Sequence, residues 1–332
     1  MNSFNRMRIR VFAMLAAVLL ACCPAKHAAW AASPAFVGGG PVRILVGFPA
    51  GGTIDVVTRL LAEHMRQDLG VQVVIENVTG AGGQLAAQAL KRAAPDGHTL
   101  MVAPDHTMVV IPLTIAQPGF ETADFAPVGQ IATYVGALAV GAGSDVRDID
   151  GFIRGVRANP KLASVGIAAA GSKPQFALLA VSREKGVALT PVPYRGSVPL
   201  VQDLVGGHLP AGITALGDFL EPHAGGQLRV IAITNEQRAS QLPAIPTALE
   251  QGYPMKLNFW LGMFAPAKTP EDTLNMLSAA MTRALGNTEV IERMKALAFE
   301  PRPTSSAGMT QEMRADTTYW APLVEASGWV KQ

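Results

Sequence analysis

Cysteine is almost missing: the 332 residues hold two, Cys22 and Cys23, both within the first 31 positions. A body without thiols builds no disulfide, no cysteine nucleophile and no thiolate metal site. Aromatic residues make up 6% of the chain and charged residues 16%. Past the N-terminus no apolar run approaches the ~20 residues of a membrane span. His64, His98, His106, His208 and His223 show neither H-x-x-x-H nor H-x-H spacing, which argues against a metal. No G-x-S-x-G elbow is present to raise a serine nucleophile. What the chain does have is 49% hydrophobic residues, 33 Gly and 24 Pro, enough for a core in a body of about 300 residues.

Residues 1–31 read as an export signal. Arg6, Arg8 and Arg10 precede the apolar stretch Val11 to Ala21, and Ala29-Trp30-Ala31 offers the small-x-small pattern of a leader-peptidase cut. Leu19-Leu20-Ala21-Cys22 is an imperfect lipobox, so cleavage after Ala31 is the preferred reading over lipoprotein anchoring at Cys22. The protein is therefore expected in the periplasm. The leader carries four of the 27 basic residues and no acid, leaving 23 Lys and Arg against 25 Asp and Glu, a net charge of −2. That mild negative balance argues against nucleic acid, which needs a basic stripe.

Beyond the leader the pattern alternates between strand and helix. Val42–Phe48 is a β-branched run, and Ile54–Leu69 has apolar residues at helical spacing closed by Gly70. Val71–Glu76 is the next strand, Gln84–Ala93 the next helix and Thr99–Ala103 a third strand. This β-α-β-α-β order predicts a parallel sheet with right-handed crossovers. Further strands are expected near 128–131, 137–140, 164–167, 192–194, 230–234 and 259–265. Three helices follow over 269–286, 289–297 and 310–326.

Two strand–glycine-loop–helix units carry the functional signal: Pro49-Ala50-Gly51-Gly52-Thr53-Ile54-Asp55 and Thr79-Gly80-Ala81-Gly82-Gly83-Gln84. Glycine lets the backbone turn sharply and leaves its N–H groups bare, and a helix start adds unpaired donors with the positive end of the dipole. Such a place binds a carboxylate or phosphate without a basic side chain. In a parallel sheet both loops lie at the carboxyl ends of neighbouring strands, where open α/β sheets bind ligands. Four amide bonds to a carboxylate give about 6–12 kcal/mol gross, so micromolar binding after ordering costs calls for contacts from a second lobe.

These residues, with Arg59, Leu69-Gly70, Val73-Val74-Ile75-Glu76-Asn77, Pro95-Asp96-Gly97-His98-Thr99-Leu100, Pro193-Tyr194-Arg195-Gly196-Ser197, Leu204-Val205-Gly206-Gly207 and Leu242-Pro243-Ala244-Ile245-Pro246-Thr247, resemble the extracytoplasmic solute receptors of tripartite tricarboxylate transporters, the Bug proteins. The match runs in order over nearly the whole mature chain. It implies an α/β, two-lobed class II periplasmic-binding-protein fold, each lobe a largely parallel sheet flanked by helices. The expected lobes are residues 41–138 with 250–332, and residues 139–249, joined by a hinge. The resemblance also implies a small organic carboxylate as ligand, permease subunits in the membrane as partners, a monomer, and no cofactor. In the family one ligand carboxylate sits against the two glycine loops, partly through ordered waters. That points to Phe48, Ala50, Gly51, Gly52 and Thr53 in the first loop, and to Gly80, Ala81, Gly82, Gly83 and Gln84 in the second. This sequence departs from the family at Gln84, where Asn is more frequent, and at Gln175, where His commonly follows the Gly171-Ser172 pair; both bear on the far end of the ligand.

Several residues carry two readings. Asp55 either faces the ligand or, the favoured reading, caps its helix and pairs with Arg59 four residues on. Thr53 is an N-cap or a ligand donor. Tyr194, Arg195, Gly196 and Ser197 form a donor site across the cleft, where Arg195 either binds a second carboxylate or lies on the surface. Gly171 and Ser172 are a third donor loop; Gly166 to Lys173 nearly spells a phosphate loop, but Ser and Lys stand in the wrong order and Pro174 follows, so nucleotide binding is rejected. Asp105 and His106, after the third strand, are either ligand contacts or a solvated loop. The alternative functions are a secreted hydrolase using Asp105 and His106, or a carboxylate sensor feeding a signalling partner.

Overall fold

The computed structural model describes residues 39–332; the export signal, Cys22 and Cys23 lie outside the described residues. The first unit follows the sequence pattern closely. β1 (Val42–Val46) leads through a glycine turn to α1 (Thr53–Leu69), whose Val57, Leu60, Leu61, Met65 and Leu69 are buried. Gly70 stops the helix in the left-handed conformation, φ 67°, its N–H reaching the Arg66 carbonyl. β2 (Val73–Asn77), α2 (Gln84–Lys91) and β3 (Thr99–Pro104) complete the unit. β2 and β3 flank β1 in parallel, with Ile44 opposite both Ile75 and Leu100.

After a π-helical turn (His106–Val110) and the short α3 (Ile111–Thr114), β4 (Phe125–Tyr134) runs almost directly into β5 (Gly136–Gly141). These two strands belong to different sheets, so the chain crosses over at Val135. The second sheet takes α4 (Ile149–Ala158), β6 (Ser164–Ile167), α5 (Lys173–Lys185), β7 (Thr190–Pro193), α6 (Ser197–Val205), β8 (Ala211–Ala215), α7 (Leu216–Ala224) and β9 (Leu228–Ile233). The chain then returns through residues 234–258 to β10 (Phe259–Pro266) in the first sheet, followed by α8 (Glu271–Leu285), α9 (Thr288–Ala296), β11 (Phe299–Pro301) and α10 (Ser306–Ala326). Strand order is β11-β4-β10-β3-β1-β2 in one sheet and β7-β6-β8-β5-β9 in the other.

Both sheets are mixed, which revises the expectation of largely parallel ones. The connecting strands cause it. β10 returns between β3 and β4 and is antiparallel to both. β5 enters between β8 and β9, again antiparallel to both. The parallel pairing expected from the β-α-β units survives in β1–β2, β1–β3, β6–β7 and β6–β8.

Each sheet is covered on both faces, as alternating side chains require. In β5, Leu138 and Val140 join the cluster holding Phe152 and Phe176, while Ala137 and Ala139 join Leu200 and Phe219 on the opposite face. α10 spans two cores: Met309 and Met313 pack with Phe264 beside the first sheet, Trp320 and Val324 with Ile167 and Leu178 beside the second. At the crossover, Tyr134 stacks on Phe259 and Phe299, ring centroids 5.1 and 4.6 Å apart. Among the described residues no helix is long and apolar enough to cross a membrane.

Candidate functional site

The strand-to-helix junctions of the two sheets face each other. From the first come the turns after β1, β2 and β3; from the second, those after β6, β7 and β8. Two adjoining chambers lie between them. An outer one of about 310 Å³ is lined by Gly47, Gly80, Ala81, Gly82, Gln84, Tyr194, Arg195 and Gly196. An inner one of about 80 Å³ is lined by Gly52, Asp105, Tyr134, Ser172, Lys173, Ser197, Asp218 and Phe259. Phe48, His106 and Ala169 border both.

Close approach explains the glycines better than turning alone. Gly82 has φ +66°, and a Cβ there would overlap the His106 ring. A Cβ on Gly47 would come within 2.5 Å of the Gly83 Cα, so the two glycine turns touch backbone to backbone. Across the cleft Gly196, φ +101°, packs on Pro49, with only 2.5 Å for a Cβ.

The loops differ in what their amides do. In the first, the Gly51 N–H donates to Asp55 (3.0 Å), Gly52 to the Pro49 carbonyl (3.4 Å) and Thr53 to Asp218 (2.9 Å). These donors serve the protein. Ala50 and Gly51 are exposed and line neither chamber. In the second loop Gly83 bonds the Gly80 carbonyl and Gln84 that of Ala81, but the Ala81 and Gly82 amides find no acceptor among the described residues. The same holds for Ser197 and Val198 at the start of α6, whose N-cap Gly196 has no side chain to close it. Four open amides therefore remain, two on each side.

Asp55 is 2% exposed and fully engaged: it accepts from Gly51, from Arg59 (2.9 Å) and from Asn77 (2.9 Å). Burial works against its charge, but these donors outweigh it and lower its pKa. The capping and pairing reading of Asp55 is the one the geometry carries. Thr53 is the first helical residue behind Gly52 as N-cap, and both its N–H and its hydroxyl donate to Asp218 on α7. Gln84 donates to the Pro118 carbonyl (3.0 Å), Gln175 accepts from the Gly171 N–H (2.8 Å), and the Tyr194 hydroxyl donates to Asp203 (2.7 Å). Gln175 and Gly171 line neither chamber; Tyr194 and the exposed Arg195 line the outer one.

Asp105 and His106 do border the inner chamber, but not as an acid–base pair. Asp105 faces Lys173: the ammonium lies 2.7 Å from its carboxylate, 2.9 Å from Asp316 and 2.9 Å from the Asn258 carbonyl. Lys173 and Asp105 are each 1% exposed. Burial opposes the Lys173 charge, yet the two carboxylates raise its pKa. Burial also pushes Asp105 up to about 6 despite Lys173. It pushes His106 down to about 4, with the Lys173 charge adding to the effect, so the imidazole is neutral at pH 7. Asp218, half-buried, is likewise raised by burial against hydrogen bonds from Thr53, Ser197 and Thr214.

Lys173, Asp218, Tyr134 and Asp316 are the residues sequence reasoning missed. One signal was there: Lys173 opens α5, and a cation at a helix N-terminus opposes the dipole unless an acid compensates it. Among the described residues, no group of three or more His, Cys, Asp and Glu is placed to hold a metal ion.

A two-lobed α/β body with a ligand-sized cleft between opposed strand-to-helix junctions defines the periplasmic-binding-protein class. Residues 57–329 match the tripartite tricarboxylate transporter family receptor, TctC, and the chain belongs to that family. The periplasmic binding protein BugD superposes with a TM-score of 0.83 at 29% identity, covering 88% of this chain and 99% of its own. MatC from Rhodopseudomonas palustris, with bound malate, gives 0.80 at 31% identity over 86% of this chain and 98% of its own. Rpa4515 from R. palustris, with adipate, gives 0.85 at 27% identity over 89% and 100%.

Proposed function

We propose that the protein is an exported periplasmic receptor that captures a small organic carboxylate between its two lobes and delivers it to the membrane permease subunits of a tripartite transporter. The observation that carries the reading is the set of open amides at Ala81 and Gly82 on one wall of the cleft and at Ser197 on the other. Main-chain donors at helix starts hold a carboxylate and let it go, with no step of chemistry. Asp105, engaged by Lys173 rather than by His106, gives no support to the hydrolase alternative. The malate and adipate in the two R. palustris relatives support the ligand class.

Taking each sheet as the centre of one lobe, the hinge of this reading runs through Val135 and residues 234–258, where the chain passes between the two sheets. Opening would separate Thr53 from Asp218 and Asp105 from Lys173, a hinge motion about two short connections. The receptor acts as a monomer.

The test is a panel of mono- and dicarboxylates and amino-carboxylates against the purified protein, read by thermal shift with product analysis. Stabilisation by one or more carboxylates, recovered unchanged, is the expected result. Turnover of any of them, or stabilisation by none, contradicts the reading.

A further inference from the structure

Beyond α10 the chain turns back on itself. Gly328 takes φ +76°, the left-handed conformation that ends a helix and redirects the backbone, and residues 329–332 settle against α3. The Trp329 indole N–H donates to the Thr114 carbonyl (3.0 Å), and the Gln332 N–H donates to the same oxygen (3.2 Å). The Ala116 N–H donates in turn to the Gln332 main-chain oxygen (2.7 Å), and the Lys331 ammonium reaches the Pro112 carbonyl (3.2 Å).

This segment joins elements of the two lobes. α3 follows β3 of the first sheet, and its Ile111 belongs to the core beside that sheet. Trp329 packs on the core beside the second sheet, where it meets the Phe176 ring of α5 edge-on, centroids 5.7 Å apart. The loop before α5 closes on the same spot. Gly171 there has φ +64°, and a Cβ on it would stand 3.1 Å from the Thr114 hydroxyl and 3.5 Å from the Trp329 ring. Gln332, with Ile111 and Ile115, walls the outer chamber alongside Gln84 of the first lobe and Arg195 of the second. Four hydrogen bonds and one ring contact stand against the ordering of five residues. Those opposing contributions are of similar size, the balance that lets a segment dock and release.

Resting on the receptor reading, we propose that residues 328–332 are a strap that fastens the two lobes across one side of the outer chamber, with Trp329 as its pin, and that undocking of the strap from α3 opens that chamber to solutes. Docked, the strap retains a captured carboxylate; undocked, it lets the solute leave. Trp329 is a positioning residue here and touches no ligand.

The experiment uses a thiol as reporter. Residues 39–332 hold no cysteine, so Ala169→Cys, in the protein without its export signal, is a single thiol; Ala169 is 5% exposed and borders both chambers. Methyl methanethiosulfonate at pH 8 modifies the thiolate only while the chamber is open, so the labelling rate reads opening. Trp329→Ala should raise that rate about tenfold or more, and Trp329→Phe, which keeps a ring on Phe176 but loses the donor, should fall between it and the parent. A second reporter, Ala280→Cys in the core of the first lobe (0% exposed), should be labelled at an unchanged rate in the same variants. A rise at position 169 of less than about threefold in Trp329→Ala, or an equal rise at position 280, overturns the strap. Should Trp329→Ala fail to fold, Trp329→Phe decides alone, a faster rate supporting the strap and the parent rate overturning it. No ligand enters the measurement: failure here leaves the carboxylate receptor standing, whereas a protein that binds no carboxylate loses that reading with the labelling result unaltered.

Discussion

Replacing Lys173 with Met should be among the most damaging single changes in the protein. The ammonium is 1% exposed and within 3 Å of Asp105, Asp316 and Asn258, with the Trp320 ring 5.3 Å away. Methionine keeps the volume and apolar contacts but leaves the buried Asp105 carboxylate facing that of the part-buried Asp316. Breaking a buried ion pair by removing one partner costs about 3–5 kcal/mol, a fifth or more of the ~5–15 kcal/mol that holds a typical domain. The sign of the pH dependence follows. Lys173 is what holds the Asp105 pKa down against burial, so without it Asp105 keeps its proton to a still higher pH than in the unfolded chain, the folded state binds more protons and stability falls as pH rises. The deficit should therefore be larger at pH 8 than at pH 5. Adding Asp105→Asn to Lys173→Met removes one of the two charges and should return part of the loss. Urea unfolding followed by tryptophan fluorescence reads all of this, since Trp260 donates to Asp316 at 3.0 Å and Trp320 flanks the ammonium. A Lys173→Met protein within about 1 kcal/mol of wild type, or one whose deficit grows toward low pH, would refute the reasoning.

Gly82→Val should abolish carboxylate binding by calorimetry while leaving the far-ultraviolet spectrum unchanged, because the added side chain meets His106 at the border of the two chambers; retained affinity would show that the second glycine loop does not touch the ligand. His106→Gln tests the pH linkage. In the wild type, Asp105 releases its proton near 6 instead of 3.8, so its contribution falls as pH climbs between those values. His106 releases its proton near 4 instead of 6.5 and contributes in the opposite sense. At about 1.4 kcal/mol per pH unit the two nearly cancel, so His106→Gln should lose up to about 3 kcal/mol relative to wild type between pH 4 and 6. Parallel stability curves would contradict those shifts.

Local pattern made the first unit legible: apolar spacing, Gly70 as a stop and paired glycine turns are all contained within some thirty residues. The expected strand over 164–167 and the last long strand from Phe259 also appear where the sequence placed them. β8 (Ala211–Ala215) and β11 (Phe299–Pro301) escaped notice, since Ala-Gly-Ile-Thr-Ala carries little β-branched character and three residues carry no period. Sheet direction was misjudged because nothing local tells a returning strand which neighbours it will enter between. The site divided the same way. Gly82 and the acid at 105 were visible as loop residues after strands, but Lys173 meets Asp105 from 68 positions away and Asp316 from 143. The first glycine loop shows the limit most clearly: its composition suggested free donors, and the fold spends them on Asp55, Pro49 and Asp218.

The most direct measurement is a crystal structure of the protein purified with whatever small molecule it retains. The account predicts a carboxylate within about 3 Å of the Ala81 and Gly82 amides, touched by residues of both sheets and enclosed by Phe48 and Ala169. A molecule bound outside the cleft, or one with no acidic group, would contradict it.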